Sequence, residues 1–282
     1  MGSLAERQKN RMRIELSTDK KEMALNRQQI EEVVSAAAAC GVTGVKLVGE
    51  DPIRFGGIFV LIQGLKSIDG IEDVSLTTDG SGLSEKAKKL ADSGLDRINI
   101  KVDTLKYNRV EKEVLDDMIA GINAATDAGL KPVKLNVVMK KEYNDDELMD
   151  FVQLTLQHQY EIRFIEMTEA EEAESPYQAV RTSEIRAKLP ALRPGLTGED
   201  GKKLEDPRDG TADVYMYPGA RGKLCFIEKR AEDFASRCAG AFLAADGTLR
   251  QDENDREGVS VLDKTGDRET LQSIVRSILE RA

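Results

Sequence analysis

The feature that most constrains the fold is a regular alternation of short apolar strands and amphipathic helices joined by short connections. Strands that alternate with helices in this way build a parallel sheet with right-handed crossovers. No Gly-rich GxGxxG follows the first strand, which favours a partial (β/α)6 barrel over a flat doubly wound sheet. The predicted strands are 12–18, 44–48, 73–77, 97–102, 133–139 and 162–167, and the predicted helices are 27–39, 58–67, 84–93, 114–128 and 145–158.

Local signals support several helix ends. Asn26 is a plausible N-cap for the first helix, and Gly129 is a plausible stop for the fourth. Ser84 resembles the first residue of a capping box, although the acidic residue comes one place early. These signals predict helices that begin and end within the segments between the strands.

The texture of the sequence changes after Met167, which predicts a barrel core over 1–167 and a small α+β extension over 168–282. Residues 168–175 read as an acidic loop, and 193–210 read as a flexible insertion rich in Gly, Pro and charge. An Asp246-Gly247 pair is typical of a hairpin turn. The remaining predicted elements are a helix at 182–189, strands at 212–217, 223–227 and 241–244, and a final helix at 268–281.

Composition excludes several classes of function. The net charge of -10 argues against bulk nucleic-acid binding, which needs a basic face. No apolar run is long enough to span a bilayer, and the N-terminus lacks the apolar stretch of a signal peptide. Cys40, Cys225 and Cys238 form neither a disulfide framework nor a metal motif, so a reducing cytoplasm is the expected compartment. The single histidine, His158, is expected to be a solvated residue at a helix end.

Charged residues interrupt strands that should be continuous apolar runs. Because side chains alternate along a strand, the charged residues of each strand share one face, and we expect that face to line the barrel lumen. Two interpretations stay open at this point: an anionic, phosphate-bearing ligand at the barrel mouth, or an ion network that neutralises itself. The cations are Arg13, Lys46, Lys101, Lys134 and Arg163, and the carboxylates available to offset them are Glu15, Asp103 and Glu166.

Six short segments together resemble one family. They are GIEDVSLTTDG at 70–80, ADSGLDRIN at 91–99, VKLNVV at 133–138, NDDE at 144–147, EIRFIE at 161–166 and FASRCAGAFLAADGTL at 234–249. Their order and spacing resemble MoaA, the GTP 3′,8-cyclase family of molybdenum-cofactor biosynthesis, whose members are radical S-adenosylmethionine (SAM) enzymes. The resemblance implies the radical-SAM type of partial barrel and, in the parent family, [4Fe–4S] clusters and SAM as cofactors.

The sequence departs from this family at the cofactor positions. The CxxxCxxC loop that follows the family's first strand is missing, because residues 20–25 lead almost directly into the first helix. At the C-terminal cluster motif, Ala235 and Asp252 stand at cysteine positions, and only Cys238 is kept. In the segment LVGEDP at 47–52, Gly49 is kept from the family's SAM-binding GGEP, while Glu50 replaces the second glycine. Lys101 and Thr168 stand at two further SAM-contacting positions.

The positions that contact GTP in the family are better kept: Arg13, Lys46, Thr77 and Lys134 fall on them, and Arg163 shares their lumen face. The resemblance therefore implies a cluster-free relative, natural or redesigned, that lacks cyclase activity and the usual cofactors but retains GTP or phosphate binding. Two alternatives remain. One is a scaffold without a ligand. The other is an enzyme with new chemistry at the barrel mouth, using Glu50, Asp103 and Glu166 as acid/base groups or a desolvated Lys101 as a nucleophile. An ion pair of Lys101 with Asp103 or Glu50 is the simpler interpretation of that lysine.

Overall fold

The computed structural model describes residues 10–19, 23–194, 212–231 and 240–281. In chain order its larger elements are β1 (Arg11–Leu16), α1 (Arg27–Ala39), β2 (Gly44–Gly49), α2 (Ile58–Lys66), β3 (Asp73–Thr78), α3 (Leu83–Asp92), β4 (Arg97–Lys101), α4 (Lys112–Asp127), β5 (Val133–Val137), α5 (Leu148–Gln157), β6 (Glu161–Ile165), α6 (Glu169–Glu174), α7 (Thr182–Ala187), β7 (Arg193–Pro194), β8 (Asp213–Met216), β9 (Lys223–Ile227), β10 (Ala241–Leu243), β11 (Thr248–Arg250), β12 (Val259–Ser260) and α8 (Arg268–Arg281).

One mixed sheet carries all of these strands, in the order β12-β11-β10-β1-β2-β3-β4-β5-β6-β9-β8-β7. The six strands β1 to β6 are parallel and adjacent in sequence order, which confirms the predicted (β/α)6 core. The C-terminal region adds β10 in parallel to β1 and β9 in parallel to β6. The sheet is therefore continuous across the boundary predicted at residue 167, and the division into two regions stays a prediction.

The core lies between the sheet and its covering helices. On β1, Met12, Ile14 and Leu16 are buried while Arg11, Arg13 and Glu15 are half-buried, so alternation separates an apolar helix-facing side from a polar lumen side. Phe164 of β6 contacts Phe151 of α5 edge-on, with ring centroids 6.2 Å apart. None of the helices in the described part of the chain is long and apolar enough to span a membrane.

Most predicted elements are present with boundaries shifted by one or two residues. The Asn26 cap is confirmed, since its side chain accepts from Gln29 N and Gln29 Oε1 accepts from Asn26 N at 3.0 Å. Gly129 follows the end of α4 with φ of +82°, as a left-handed stop residue should. The Asp246-Gly247 turn joins the antiparallel strands β10 and β11.

Three local predictions are wrong. Residues 168–175 contain the helix α6, because Thr168 and Glu171 form a reciprocal capping box that the acidic composition concealed. The helix α3 begins at Leu83, directly after Gly82, whose backbone is left-handed. Ser84 therefore lies inside the helix and does not cap it. The segment predicted to start a helix at residue 145 is a 3-10 turn, Asp145–Glu147, that precedes α5. Of the predicted insertion, Arg193–Pro194 form β7, and 195–210 lie outside the described residues.

Candidate functional site: a cationic lumen

Strand register arranges the lumen side chains in rows. The first row joins Arg13 on β1 to Lys46 on β2, Ser75 on β3 and Arg97 on β4. The second row, one step nearer the carboxyl ends of the strands, contains Thr77, Asn99, Lys134 and Glu161. The third row contains Lys101, Asn136, Arg163 and Cys225. Directly paired residues in parallel strands point to the same face, so these rows form one polar surface.

The sheet curls enough to bring distant strands together over this surface. Lys46 lies on β2 and Arg163 on β6, so a flat sheet would place them four strand spacings, or about 19 Å, apart. Burial and then the charge of Arg163 nevertheless are the two largest influences on the pKa of Lys46, ahead of its register neighbour Arg13. The charge of Arg163 thus acts on Lys46 although four strand steps separate β2 from β6, which agrees with the curvature of a partial barrel.

Most lumen charges have a partner. Asp73 receives two hydrogen bonds from the Arg97 guanidinium and lies 3.8 Å from Arg11 Nη2. Lys134 Nζ lies 3.0 Å from Glu161 Oε2, with no hydrogen bond aligned on that oxygen, so their attraction is chiefly coulombic. Arg13 lies 3.5 Å from the exposed Glu253, and its guanidinium lies over the Phe242 ring, 5.4 Å from the centroid.

Lys46 differs from these cations, since its ammonium makes no hydrogen bond or ion pair with any described residue. Its side chain is half-buried in the middle of β2. Burial, followed by the charges of Arg163, Arg13, Lys134 and Arg97, holds its pKa well below the ordinary range of a lysine. Four cations thus surround an amine for which the described residues offer no carboxylate.

The pKa of Lys134 is lowered by similar causes. Burial and the neighbouring Arg163 lower its pKa to about 7, and Glu161 raises it only in part. Next to this pair, burial raises the pKa of the Cys225 thiol to about 12, with the Glu161 carboxylate adding to the effect. The lumen therefore penalises added positive charge and keeps Cys225 as a neutral thiol.

Two neutral polar atoms on this surface also lack partners. Thr77 Oγ1 and Asn136 Oδ1 are buried and make no hydrogen bond to the described residues. Buried polar atoms are normally satisfied, and an orphaned one requires an explanation such as water or a ligand. They lie on β3 and β5, on the same face as the cations, where they extend the cationic surface toward the carboxyl ends of the strands.

The connection after β2 is fixed by tight backbone geometry and a buried acid. Gly49 has a φ of +129°, and a Cβ there would lie 2.2 Å from the Leu16 carbonyl oxygen of β1. Asp51 is buried, accepts from Thr78 Oγ1 at 2.6 Å and lies 2.9 Å from Arg54 Nε. Burial raises the pKa of Asp51. The GEDP segment is therefore held from both sides, by β1 at Gly49 and by β3 at Asp51.

The residues considered for new acid/base chemistry do not converge. Lys101 is exposed at the end of β4, so it is not the desolvated amine that a Schiff-base nucleophile would need, and its Nζ lies 3.5 Å from the Glu50 carbonyl oxygen. Asp103 pairs with Lys140 at 3.2 Å, and the buried Glu166 pairs with Arg181 at 3.3 Å. Neither ion pair considered for Lys101 is formed. His158 is exposed at the end of α5 and stacks on Tyr160, with ring centroids 4.7 Å apart.

Comparison with known proteins identifies the family. The model of the Radical SAM superfamily matches residues 9–155. The GTP 3′,8-cyclase of Alkaliphilus oremlandii is 32% identical over 268 residues, which cover 93% of this chain and 81% of that protein. The GTP 3′,8-cyclase of Heliobacterium modesticaldum is 35% identical over 244 residues, which cover 83% of this chain and 72% of that protein. The chain belongs to the GTP 3′,8-cyclase family of the radical SAM superfamily.

Solved structures confirm the radical SAM type of fold. SuiB of Streptococcus suis bound to S-adenosylmethionine superposes with a TM-score of 0.62 at 11% sequence identity, over 95% of this chain and 68% of that chain. The complex of SuiB with its precursor peptide SuiA gives a TM-score of 0.60 at 12% identity, over 95% of this chain and 66% of that chain. At such low identity the likeness concerns the fold alone.

The residues of this family member do not fit a [4Fe–4S] cluster, which is held by several cysteine thiolates. The connection from β1 to α1 contains no cysteine. Cys40 lies at the end of α1 with its thiol 3.5 Å from the Gln272 carbonyl oxygen of α8, whereas Cys225 is a neutral thiol in β9 near the other side of the sheet. Asp252 accepts from Asn254 N and Asp255 N within its own loop. Ala235 and Cys238 lie outside the described residues.

Two of the four positions that resemble the family's SAM site have local structural roles here. Gly49 is explained by the close approach of Leu16, and Thr168 caps α6 by accepting from Glu171 N at 3.2 Å. The other two residues, Glu50 and Lys101, are exposed. The contacts of Gly49 and Thr168 therefore explain these two residues without a bound SAM.

Sequence reasoning missed three charged lumen residues, namely Asp73, Arg97 and Glu161. Each was detectable from the period of two along a strand. Arg97 lies two places before Asn99, Glu161 two places before Arg163, and Asp73 four places before Thr77. Each is the first residue of its strand, where the alternation has only just begun and is hard to recognise.

Proposed function

We propose that this member of the GTP 3′,8-cyclase family binds GTP, or another ligand with a chain of phosphates, in the cationic lumen and does not catalyse radical SAM chemistry. The single observation that carries the proposal is Lys46, an amine without a described counterion whose pKa is lowered by burial and then by the charges of Arg163, Arg13, Lys134 and Arg97. Buried like charges without compensation cost several kcal/mol. An anionic ligand would supply that compensation.

The donors suit phosphate recognition in kind and in position. Arginine binds phosphate oxygens through two parallel N–H bonds, and lysine binds them as a point charge. Arg13 and Lys46 are register neighbours, while Arg163 approaches Lys46 from the opposite side of the lumen. The unpartnered Thr77 hydroxyl and Asn136 carbonyl oxygen can contact the neutral part of such a ligand, such as a sugar hydroxyl or a base N–H.

The proposal of an inactive, cluster-free homologue is supported by the fit of the residues present. The connection after β1 lacks cysteines, and of the two described cysteines Cys40 lies at the end of α1 and Cys225 in β9. Of the residues at the family's SAM positions, Gly49 and Thr168 have local structural roles, and Glu50 and Lys101 are exposed. Cys40 and Cys225 are free thiols, which agrees with the reducing cytoplasm that we propose as the compartment.

Isothermal titration calorimetry with GTP, inorganic tripolyphosphate and SAM tests this function. We expect GTP and tripolyphosphate to bind, SAM not to bind, and affinity to fall with rising salt, because the main contacts are ionic. Lys46→Met should weaken GTP binding at least about tenfold, the effect of one lost charge-assisted contact. Lys88→Met, which removes an exposed lysine of α3, should leave binding unchanged. Absence of heat with every phosphate ligand, in a protein shown to be folded, would leave the ligand-free scaffold as the better description.

A further inference from the structure

Lys46 can also take up a proton when a ligand binds. This inference rests on the proposed phosphate binding. We infer that a phosphate ligand enters the lumen together with a proton from solvent, and that Lys46 is the group that takes up this proton. Lys46 is thus protonated to a greater extent when the ligand is bound than in the free protein. Lys46 thereby makes the affinity of the lumen depend on pH.

The arrangement of charge around Lys46 supports this assignment. Its register neighbour on β1 is Arg13, and the chain on its other side is β3, whose Asp73 is already bound to Arg97 and close to Arg11. Among the described carboxylates near the lumen, Asp73, Glu15 and Glu161 have other partners. The charged groups that face Lys46 from the surrounding elements are Arg11, Arg13 and Glu15 of β1, Asp73 of β3, Arg97 of β4, Lys134 of β5, Glu161 and Arg163 of β6, and Glu50 after its own strand.

The commitments of those carboxylates are specific. Glu15 Oε2 accepts from Ala245 N at 3.1 Å, and Glu161 lies between Lys134 and Lys223, at 3.0 and 3.8 Å. Glu50 is exposed at the mouth. Lys46 therefore meets cations on several sides without a described ion pair. This geometry, together with burial, lowers its pKa. Lys134 has Glu161 to support its charge, but its pKa of about 7 means that it also takes up protons at pH 8, so variants of Lys46 are needed to separate the two lysines.

A bound polyphosphate places negative charge next to Lys46. The anion favours the ammonium form and raises the pKa of Lys46, so binding consumes a proton at any pH between the free and bound values. Below the pKa that Lys46 has in the ligand-free protein, the lysine is already charged and the affinity for the polyphosphate does not change with pH. Above it, affinity falls as pH rises, approaching about tenfold per pH unit for one proton.

Calorimetry at pH 8 in HEPES and in Tris, which differ in ionisation enthalpy, measures the number of protons taken up. GTP and tripolyphosphate are the probes, and phosphate buffer is avoided because it competes. The terminal phosphate is ionised at this pH, since its second pKa is about 6. The buffer dependence of the binding heat should show net proton uptake by the wild-type protein, because the heat of binding then includes the heat of buffer ionisation.

Lys46→Arg is the decisive variant, because arginine keeps the positive charge but does not titrate. In GTP titrations of this variant, proton uptake per bound ligand should be lower than in the wild type, by at most about one proton per chain. Lys88→Met should match the wild type in both measurements. Circular dichroism confirms that each variant is folded, and Lys46→Gln provides a second, non-titrating variant if the arginine does not fit.

The two proposals fail differently. Binding with the same proton uptake in wild type and in both Lys46 variants overturns the assignment of the proton to Lys46 and leaves the proposed function standing. If the heat of GTP binding to the wild type is the same in both buffers, no proton is taken up, and the assignment to Lys46 is overturned in the same way. Absence of GTP and tripolyphosphate binding in both buffers overturns the proposed function and this inference with it.

Discussion

Lys134 and Glu161 form an ion pair inside the lumen, with Nζ and Oε2 3.0 Å apart and side chains only 1% and 6% exposed. Register places them directly opposite each other on β5 and β6. Glu161 is the carboxylate nearest to Arg163 in sequence, and Arg163 lowers the pKa of Lys134. Glu161 therefore stabilises a region that otherwise contains mostly positive charge.

Glu161→Gln should lower the free energy of unfolding by about 1–3 kcal/mol, because Lys134 loses the attraction of Glu161 but, with a pKa of about 7, can release its proton. Urea unfolding followed by circular dichroism at pH 7 measures this loss. Glu72→Gln, at an exposed position before β3, should change stability by no more than about 0.5 kcal/mol.

The double variant Glu161→Gln/Lys134→Met should recover part of the loss, because it also removes the amine that has lost the Glu161 carboxylate. A Glu161→Gln protein as stable as Glu72→Gln would show that the pair is unimportant for the fold.

Stability should rise with pH between 7 and 9. Lys134, with a pKa of about 7, and Lys46, with a pKa well below 10.5, release protons in the folded state before they do so in the unfolded state. The unfolded chain therefore binds more protons over this range, and the free energy of unfolding increases by at most about 1.4 kcal/mol per pH unit for each group. Above pH 9 the raised pKa of Cys225 acts in the opposite direction.

Urea midpoints at pH 7, 8 and 9 test this dependence. Lys46→Met should show a smaller rise than wild type, because one of the two groups is gone, and Lys88→Met should follow wild type. Equal slopes in Lys46→Met and wild type would contradict a perturbed Lys46.

The sequence predicted the sheet because each strand carries its own signal. Alternation along 97–102 and 133–139 fixes which side chains share a face, whatever the rest of the chain does. The same period assigns Lys46 and Arg163 to the lumen. The alternation does not determine how deeply a side chain is buried or how strongly the sheet curves. Lys101 shares the parity of Asn99 yet ends β4 in solvent, because a strand's last residue lies at the rim.

Nonlocal contacts explain the rest of the disagreement. The meeting of Lys46 with Arg163 depends on the curl of five neighbouring strands, and no short window of sequence contains it. Arg97 becomes a committed partner of Asp73 only because β3 and β4 are paired. The helix α6, by contrast, was predictable, since Thr168 and Glu171 have the spacing of a capping box.

Anaerobic reconstitution with iron and sulfide should leave the protein without a stoichiometric cluster. The described cysteines do not converge, and the connection after β1 has none. Iron and sulfide assays and visible absorption measure the cluster, and formation of 5′-deoxyadenosine under reducing conditions measures SAM cleavage. Cys238→Ser should behave like the wild type, because one thiolate does not hold a cubane. About four irons per chain together with SAM cleavage would refute the proposal of a cluster-free protein.

Gly49→Ala should destabilise the fold more than the same change at another glycine of similar backbone conformation. Its Cβ would lie 2.2 Å from the Leu16 carbonyl oxygen, at the point where β1 and β2 end together. Gly41 is the matched control, with φ of +96° and nothing within 4 Å of an added Cβ, so Gly41→Ala adds only backbone strain of about 1–2 kcal/mol. Because the carbonyl of β1 cannot move without disturbing the ladder, Gly49→Ala should cost about 3 kcal/mol or more. Urea unfolding of both variants measures the difference, and equal losses would mean that the close approach of β1 to Gly49 relaxes freely.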